Sequence, residues 1–145
     1  MSLKYQRGNF IPENPDKYVG TYPIIYRSSW ELTVMRMCDN HQNILQWASE
    51  SVKIPYVNPL TGKYTVYVPD FMVALEDRTG RQRVELWEIK PSKQTFVKEA
   101  KQKRDQFALA VNAAKWKAAT IFCKQRDITF RVITENDIFR DPRKK

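Results

Sequence analysis

Nowhere in the 145 residues do apolar side chains run on for the roughly 18 positions that a membrane-spanning helix needs. The first ten residues, Met1 to Phe10, also lack the apolar core of a secretory signal. Both absences predict a soluble protein of intracellular origin. Cysteine is scarce, with 2 in the chain. Cys38 and Cys123 each sit in a helix-like apolar pattern, away from any Cys or His at zinc-ligand spacing, which predicts buried thiols. The single histidine, His41, has no Ser or Cys in a recognisable triad context, and 4 glycines leave neither a phosphate-cradling loop nor a dinucleotide fingerprint. No nucleotide cofactor is expected. Acid is outnumbered by base, 16 Asp and Glu against 25 Lys and Arg, for a net charge of +9. That balance favours a polyanionic partner, nucleic acid first, although charge by itself does not separate DNA, RNA or an acidic protein.

What is present is an ordinary globular composition, 42% hydrophobic and 28% charged, at a length that suits one domain with one core. The first 20 residues, with Gly8, Pro12, Pro15 and Gly20, have no period and predict an extended arm packed locally. From Ser28 to about Asn40, a cap at Ser28 or Ser29 precedes Trp30, Val34, Met37 and Cys38 at helical spacing. Strands are predicted at 50–57, at 63–69 running on to 75, and at 82–90, rich in Val, Ile, Tyr and Trp. The joins at 58–62 and 77–80 carry turn residues, Gly62 and Gly80 among them, and predict two antiparallel hairpins in a meander.

Beyond Pro91 the pattern predicts a helix at 95–110, with Val97, Ala100, Phe107, Ala108 and Val111 on one side and a basic exposed surface. A second helix is predicted at 113–126, grouping Trp116, Ala119, Thr120 and Cys123, with Trp116 in the core rather than as a base-stacking platform. A last strand follows at 128–133. The predicted order is α-β-β-β-α-α-β, with an arm at 1–20, one domain at 21–135 holding the core, and a basic tail at 136–145.

The chemistry concentrates in Val68-Pro69-Asp70-Phe71 and, one hairpin later, Leu86-Trp87-Glu88-Ile89-Lys90. A turn at 77–80 brings Asp70 and Glu88 opposite one another to within one residue, at a Cβ separation of about 5 Å. Strand alternation sends Glu88 and Lys90 to the same face and Ile89 to the other. Two carboxylates that close repel unless a cation lies between them, and hard carboxylate oxygens suit Mg²⁺, with Mn²⁺ as a substitute. Such an ion beside a lysine is equipped to hydrolyse a phosphodiester P–O bond. Glu31, in the first turn of the first helix, is a candidate third carboxylate, and its place at a helix N-terminus equally suits a structural role. Glu50 shares strand parity with Val52 and Ile54 and stays outside the catalytic set.

These residues resemble the PD-(D/E)xK nuclease superfamily, whose motif is matched by Pro69-Asp70 and Glu88-Ile89-Lys90. Tyr26-Arg27-Ser28-Ser29-Trp30-Glu31, Ile54-Pro55-Tyr56 and Tyr67-Val68-Pro69-Asp70-Phe71 further resemble the TnsA-type transposon endonucleases and the head-completion nucleases of T-even-like tailed phages, over about residues 20–135. The size is nearer the phage type. The resemblance implies a restriction-endonuclease-like α/β (α+β) fold, a central mixed sheet flanked by helices. It implies Glu31, Asp70, Glu88 and the main-chain carbonyl of Ile89 as metal ligands, and Lys90 as base or water positioner. It also implies a Mg²⁺-dependent endodeoxyribonuclease that processes packaged double-stranded DNA in phage head completion, in the host cytoplasm or the virion, beside portal or neck proteins.

Arg27, Lys93, Lys98, Lys101 and Lys103 are candidate DNA-backbone contacts; a surface salt bridge for Arg27 and a merely solvated lysine face are the plain alternatives. Two further readings stay open: a non-catalytic DNA-binding or virion-assembly protein that keeps the fold, and a transposon end-cleaving nuclease. An RNA-directed module is disfavoured by the lack of paired stacking aromatics.

Overall fold

A computed structural model of the chain describes residues 7–92 and 103–138, with side chains from 105 onward in the second span. The predicted stretch 95–102 and the basic end 140–145 lie outside the described residues.

Helix α1 (Ser29–Asn40) starts where the sequence indicates. Ser28 is extended, and its hydroxyl accepts the Glu31 N–H at 3.1 Å, which satisfies one of the free amides of the first turn. The helix buries Trp30, Val34, Met35 and Cys38. Met37, expected inside, is 38% exposed and Met35 takes its place.

The central sheet has the order β3-β6-β7-β8, formed by β3 (Ile44–Ser49), β6 (Phe71–Glu76), β7 (Gln82–Ile89) and β8 (Thr129–Ile133). β3, β6 and β7 are antiparallel neighbours, and β8 joins β7 in parallel. A parallel neighbour needs a long crossover, in which α2 (Lys103–Gln125) lies. The mixed sheet flanked by helices is the expected α+β class.

Four details depart from expectation. The first strand is not 50–57 but β3, followed by a break and then β4 (Ile54–Val57). Glu50, at φ +50, turns the chain there. The segment 63–75 divides at 68–70 into β5 (Tyr64–Tyr67) and β6, so the meander does not form: β4 and β5 make a separate two-stranded sheet. The two helices predicted after Pro91 meet in one, because α2 runs unbroken through Asn112 and Ala113. Within α2, Leu109 is buried whereas Phe107 and Ala108 face outward, contrary to the predicted apolar side. The short helix α3 (Glu135–Ile138) follows β8.

Residues before 20 take part in the core as well. β1 (Gly8–Phe10) pairs with β2 (Ile24–Tyr26), and Phe10 and Tyr18 pack edge-on against Trp47. The Asp39 carboxylate at the end of α1 accepts the Glu13 and Asn14 amides at 2.8 and 3.0 Å, tying this segment down.

The sheet separates two cores. On one face α1 packs Val34, Met35 and Cys38 onto Trp47, Phe71, Val73, Trp87 and Ile133. On the other, α2 and the β4–β5 hairpin pack Ala119, Cys123, Ile54, Tyr56 and Tyr67 around Leu86. Both cysteines are buried free thiols, as expected, and burial pushes Cys38 up to about 12. Glu85, also buried, accepts from the Trp87 indole at 2.8 Å and pairs with Arg83 and Arg131.

Candidate active site

The register of the β6–β7 hairpin is what brings the acidic groups together. In its turn, Asp77 accepts the Thr79 and Arg81 amides at 2.9 and 3.0 Å, and Gly80 supplies φ +83. The strands then pair Phe71 with Trp87 and Met72 with Leu86. One further step places Asp70 opposite Glu88, on the sheet face shared by Met72 and Leu86.

Each carboxylate is held by one oxygen. Asp70 Oδ2 accepts the Ile89 N–H at 2.8 Å, and Glu88 Oε1 accepts the Tyr67 hydroxyl at 2.7 Å. Lys90 Nζ lies 3.9 Å from Glu88 Oε2, and its main-chain N–H is fixed in the sheet by the Ile133 carbonyl at 2.9 Å. Ile89 sits between them, its side chain against the opposite core.

The start of α1 supplies the third acid. Glu31 Oε1 accepts the Arg27 N–H at 3.2 Å, and the Arg27 guanidinium is paired with Glu50. Glu50 is joined to the centre through its N–H, which donates to the Asp70 carbonyl at 3.0 Å. Arg27 therefore takes the salt-bridge alternative in this conformation. Lys93, Lys98 and Lys101 lie outside the described residues, as does the Lys103 side chain.

The electrostatics are those of crowded acid. Burial pushes Asp70 well above the usual carboxylate range; Glu88 adds repulsion, the Ile89 N–H opposes the rise, Glu31 adds to it and Lys90 draws it down. Burial also raises Glu88, against the Tyr67 hydroxyl bond and the charges of Lys90 and Lys115. Glu31 is raised by burial, opposed by Arg27 and supported by Glu50. Tyr67 is raised by burial and by Glu88, so it stays a proton donor.

Among the described residues, no three His, Cys, Asp or Glu side chains are gathered into a cage for a metal. Mg²⁺ does not require one: it takes one or two carboxylates and completes its shell with water and substrate phosphate. Asp70 and Glu88 have the donor chemistry for that ion. They are opposed, partly buried and driven toward protonation, and a cation between them would relieve both.

Two neighbours of the centre carry no signal at short range. Tyr67 comes from β5, in the other sheet, and Lys115 comes from α2, with Nζ 5.7 Å from the Tyr67 ring centroid. Alternation in 64–67 marks Tyr67 as a strand residue, but only tertiary packing aims it at Glu88.

Over residues 41–135 the chain matches the family model described as TnsA-like endonuclease N terminal. It is also 34% identical, over 142 residues, to the head completion nuclease of Enterobacteria phage T4, covering 90% of this chain and 92% of that protein.

Proposed function

The chain belongs to the TnsA-like endonuclease family, and on that premise we propose that it is a divalent-cation-dependent DNA endonuclease of phage head completion. The observation that carries this reading is the pair of opposed, partly buried carboxylates, Asp70 and Glu88, with Lys90 against Glu88.

Asp70 and Glu88, with Glu31 and the Ile89 carbonyl at the margin, would hold Mg²⁺ or Mn²⁺. Once bound, the ion supplies positive charge to the phosphate and lowers the pKa of water. Lys90 orients the attacking water through Nζ, a position set by its backbone bond to β8 and by Glu88. Tyr67 fixes the Glu88 rotamer by its short hydroxyl bond. In the reaction a water oxygen bonds to phosphorus, the opposite P–O bond breaks, and a proton passes to the leaving alkoxide. Arg27, if released from Glu50, is placed to take a neighbouring phosphate bidentately.

The T4 relative is named for head completion, and for this chain we assign the corresponding step: processing double-stranded DNA already packaged, at the portal or neck of an assembling particle in the host cytoplasm. Among the described residues no helix is long and apolar enough to cross a membrane.

The test is incubation of wild-type and Lys90→Ala protein with linear and supercoiled DNA, in Mg²⁺, in Mn²⁺ and in chelator. Cutting by wild type in either ion, lost with chelator and with Lys90→Ala, is the expected result. Cutting by Lys90→Ala at the wild-type rate would remove Lys90 from the mechanism. Binding without cutting would favour a non-catalytic assembly role.

A further inference from the structure

The β4–β5 hairpin has two unlike faces. Ile54, Tyr56 and Tyr67 point inward, onto Leu86 and α2. The outward face is apolar and open to solvent: Pro55 lies opposite Val66 and Val57 opposite Tyr64, with Leu60 in the turn. Tyr64 is 86% exposed and Val66 50%. A tyrosine so far out on a two-stranded ribbon does nothing for the core.

We propose that this ribbon is a DNA-docking surface, laying its outer face against a groove of the substrate duplex with Lys53 and Lys63 on the phosphates.

Three observations select DNA as the occupant. From 51 to 69 the chain holds two lysines, Lys53 and Lys63, and no Asp or Glu, in a protein that elsewhere spreads 16 acids. Both lysines are exposed. Charge of one sign around an apolar strip complements a polyanion with hydrophobic groove walls. Secondly, the ribbon is continuous with the candidate active site, because the strand that presents Tyr64 and Val66 ends at Tyr67, whose hydroxyl is on Glu88. A duplex with a phosphate at Asp70 and Glu88 has the ribbon as its neighbour on the same side of the sheet. Thirdly, a two-stranded ribbon is a shape that a DNA groove admits. Gly62, at φ +71 with nothing near its Cβ position, closes the tip tightly.

The inference rests on the DNA-cleaving reading for its choice of duplex, and binding in chelator separates the two. Affinity of the full chain for a short fluorescent duplex is measured by anisotropy across a salt series, with cleavage in Mg²⁺ recorded in parallel. In the Lys53→Ala/Lys63→Ala double variant, the slope of log affinity against log salt should fall by about 1.8, the loss of two phosphate contacts. Tyr64→Ala should weaken binding about tenfold, the loss of one apolar contact, with the slope unchanged. Both variants should melt at the wild-type temperature, since they alter exposed side chains.

If wild type binds and cuts while the variants match it in affinity and slope, the docking proposal is overturned, the nuclease reading stands, and the face is free for a protein partner. If wild type cuts in Mg²⁺ but binds no duplex in chelator at any salt, the docking proposal alone falls; if it neither binds nor cuts, both readings fall.

Discussion

Replacing Asp70 by Asn should abolish cleavage and, in the absence of metal, make the protein more stable. The amide keeps an oxygen for the Ile89 N–H and removes a charge that burial and Glu88 both oppose. Unit charges about 5 Å apart at an effective dielectric near 20 repel by about 3 kcal/mol. The weaker bond to Ile89 and the lost attraction to Lys90 give back about 1 kcal/mol. A net gain of about 2 kcal/mol follows, or about 6 °C in melting temperature for a domain of this size.

The pH dependence has a definite sign. Asp70 is raised in the fold, so the wild type binds more protons folded than unfolded. Its stability is fully present below the unfolded carboxylate value of about 4 and is lost as pH rises through the folded value. The advantage of Asp70→Asn is therefore largest at neutral pH and vanishes near pH 4. Thermal unfolding followed by circular dichroism in chelator, at both ends of this range, measures it. Mg²⁺ at about a hundred times its dissociation constant should then stabilise wild type by about 2.7 kcal/mol and leave Asp70→Asn unmoved. A metal-free Asp70→Asn protein that melts below wild type at neutral pH would refute the account of the site as crowded acid.

Tyr67→Phe removes the hydroxyl bond that most lowers Glu88, so the acid limb of the cleavage profile should move to higher pH; an unshifted limb in rate against pH would count against the Tyr67 contact. Ser28→Ala should cost about 1 kcal/mol in urea denaturation through the lost cap and reduce cleavage through Glu31, with Ser28→Thr restoring both. Trp47→Ala, at the centre of the contacts with Phe10, Tyr18 and Phe71, should cost about 3–5 kcal/mol by the same measurement.

The parts that were legible in the sequence are those decided locally. Ser28 caps α1 with a side chain three residues from its target, and the 77–80 turn sets the register that faces Asp70 with Glu88. The first strand carries no period-two signal because Trp47 and Ala48 are buried on successive faces, while the stretch expected to be strand contains the left-handed Glu50. The continuity of α2 across 111–112 has no local signal, because its apolar residues follow no single stripe; Leu109 is buried and Ile121 is half exposed. Sheet membership of β4 and β5, and the approach of Tyr67 and Lys115 to Glu88, depend on tertiary packing between distant segments, for which short-range spacing holds no information.

The parallel pairing of β8 with β7 bears on when the protein becomes active during its synthesis. Lys90 takes its backbone support from Ile133, and just beyond it the Ser92 amide is held by Glu135, 43 residues later in the chain. A ribosome emitting about 5–20 residues per second delivers that support seconds after the acids and the lysine have emerged. A nascent chain stopped before Thr129 would carry Glu31, Asp70, Glu88 and Lys90 without the strand that frames them. Chains cut short before Thr129 are therefore expected not to cleave DNA, with activity appearing only once β8 has emerged.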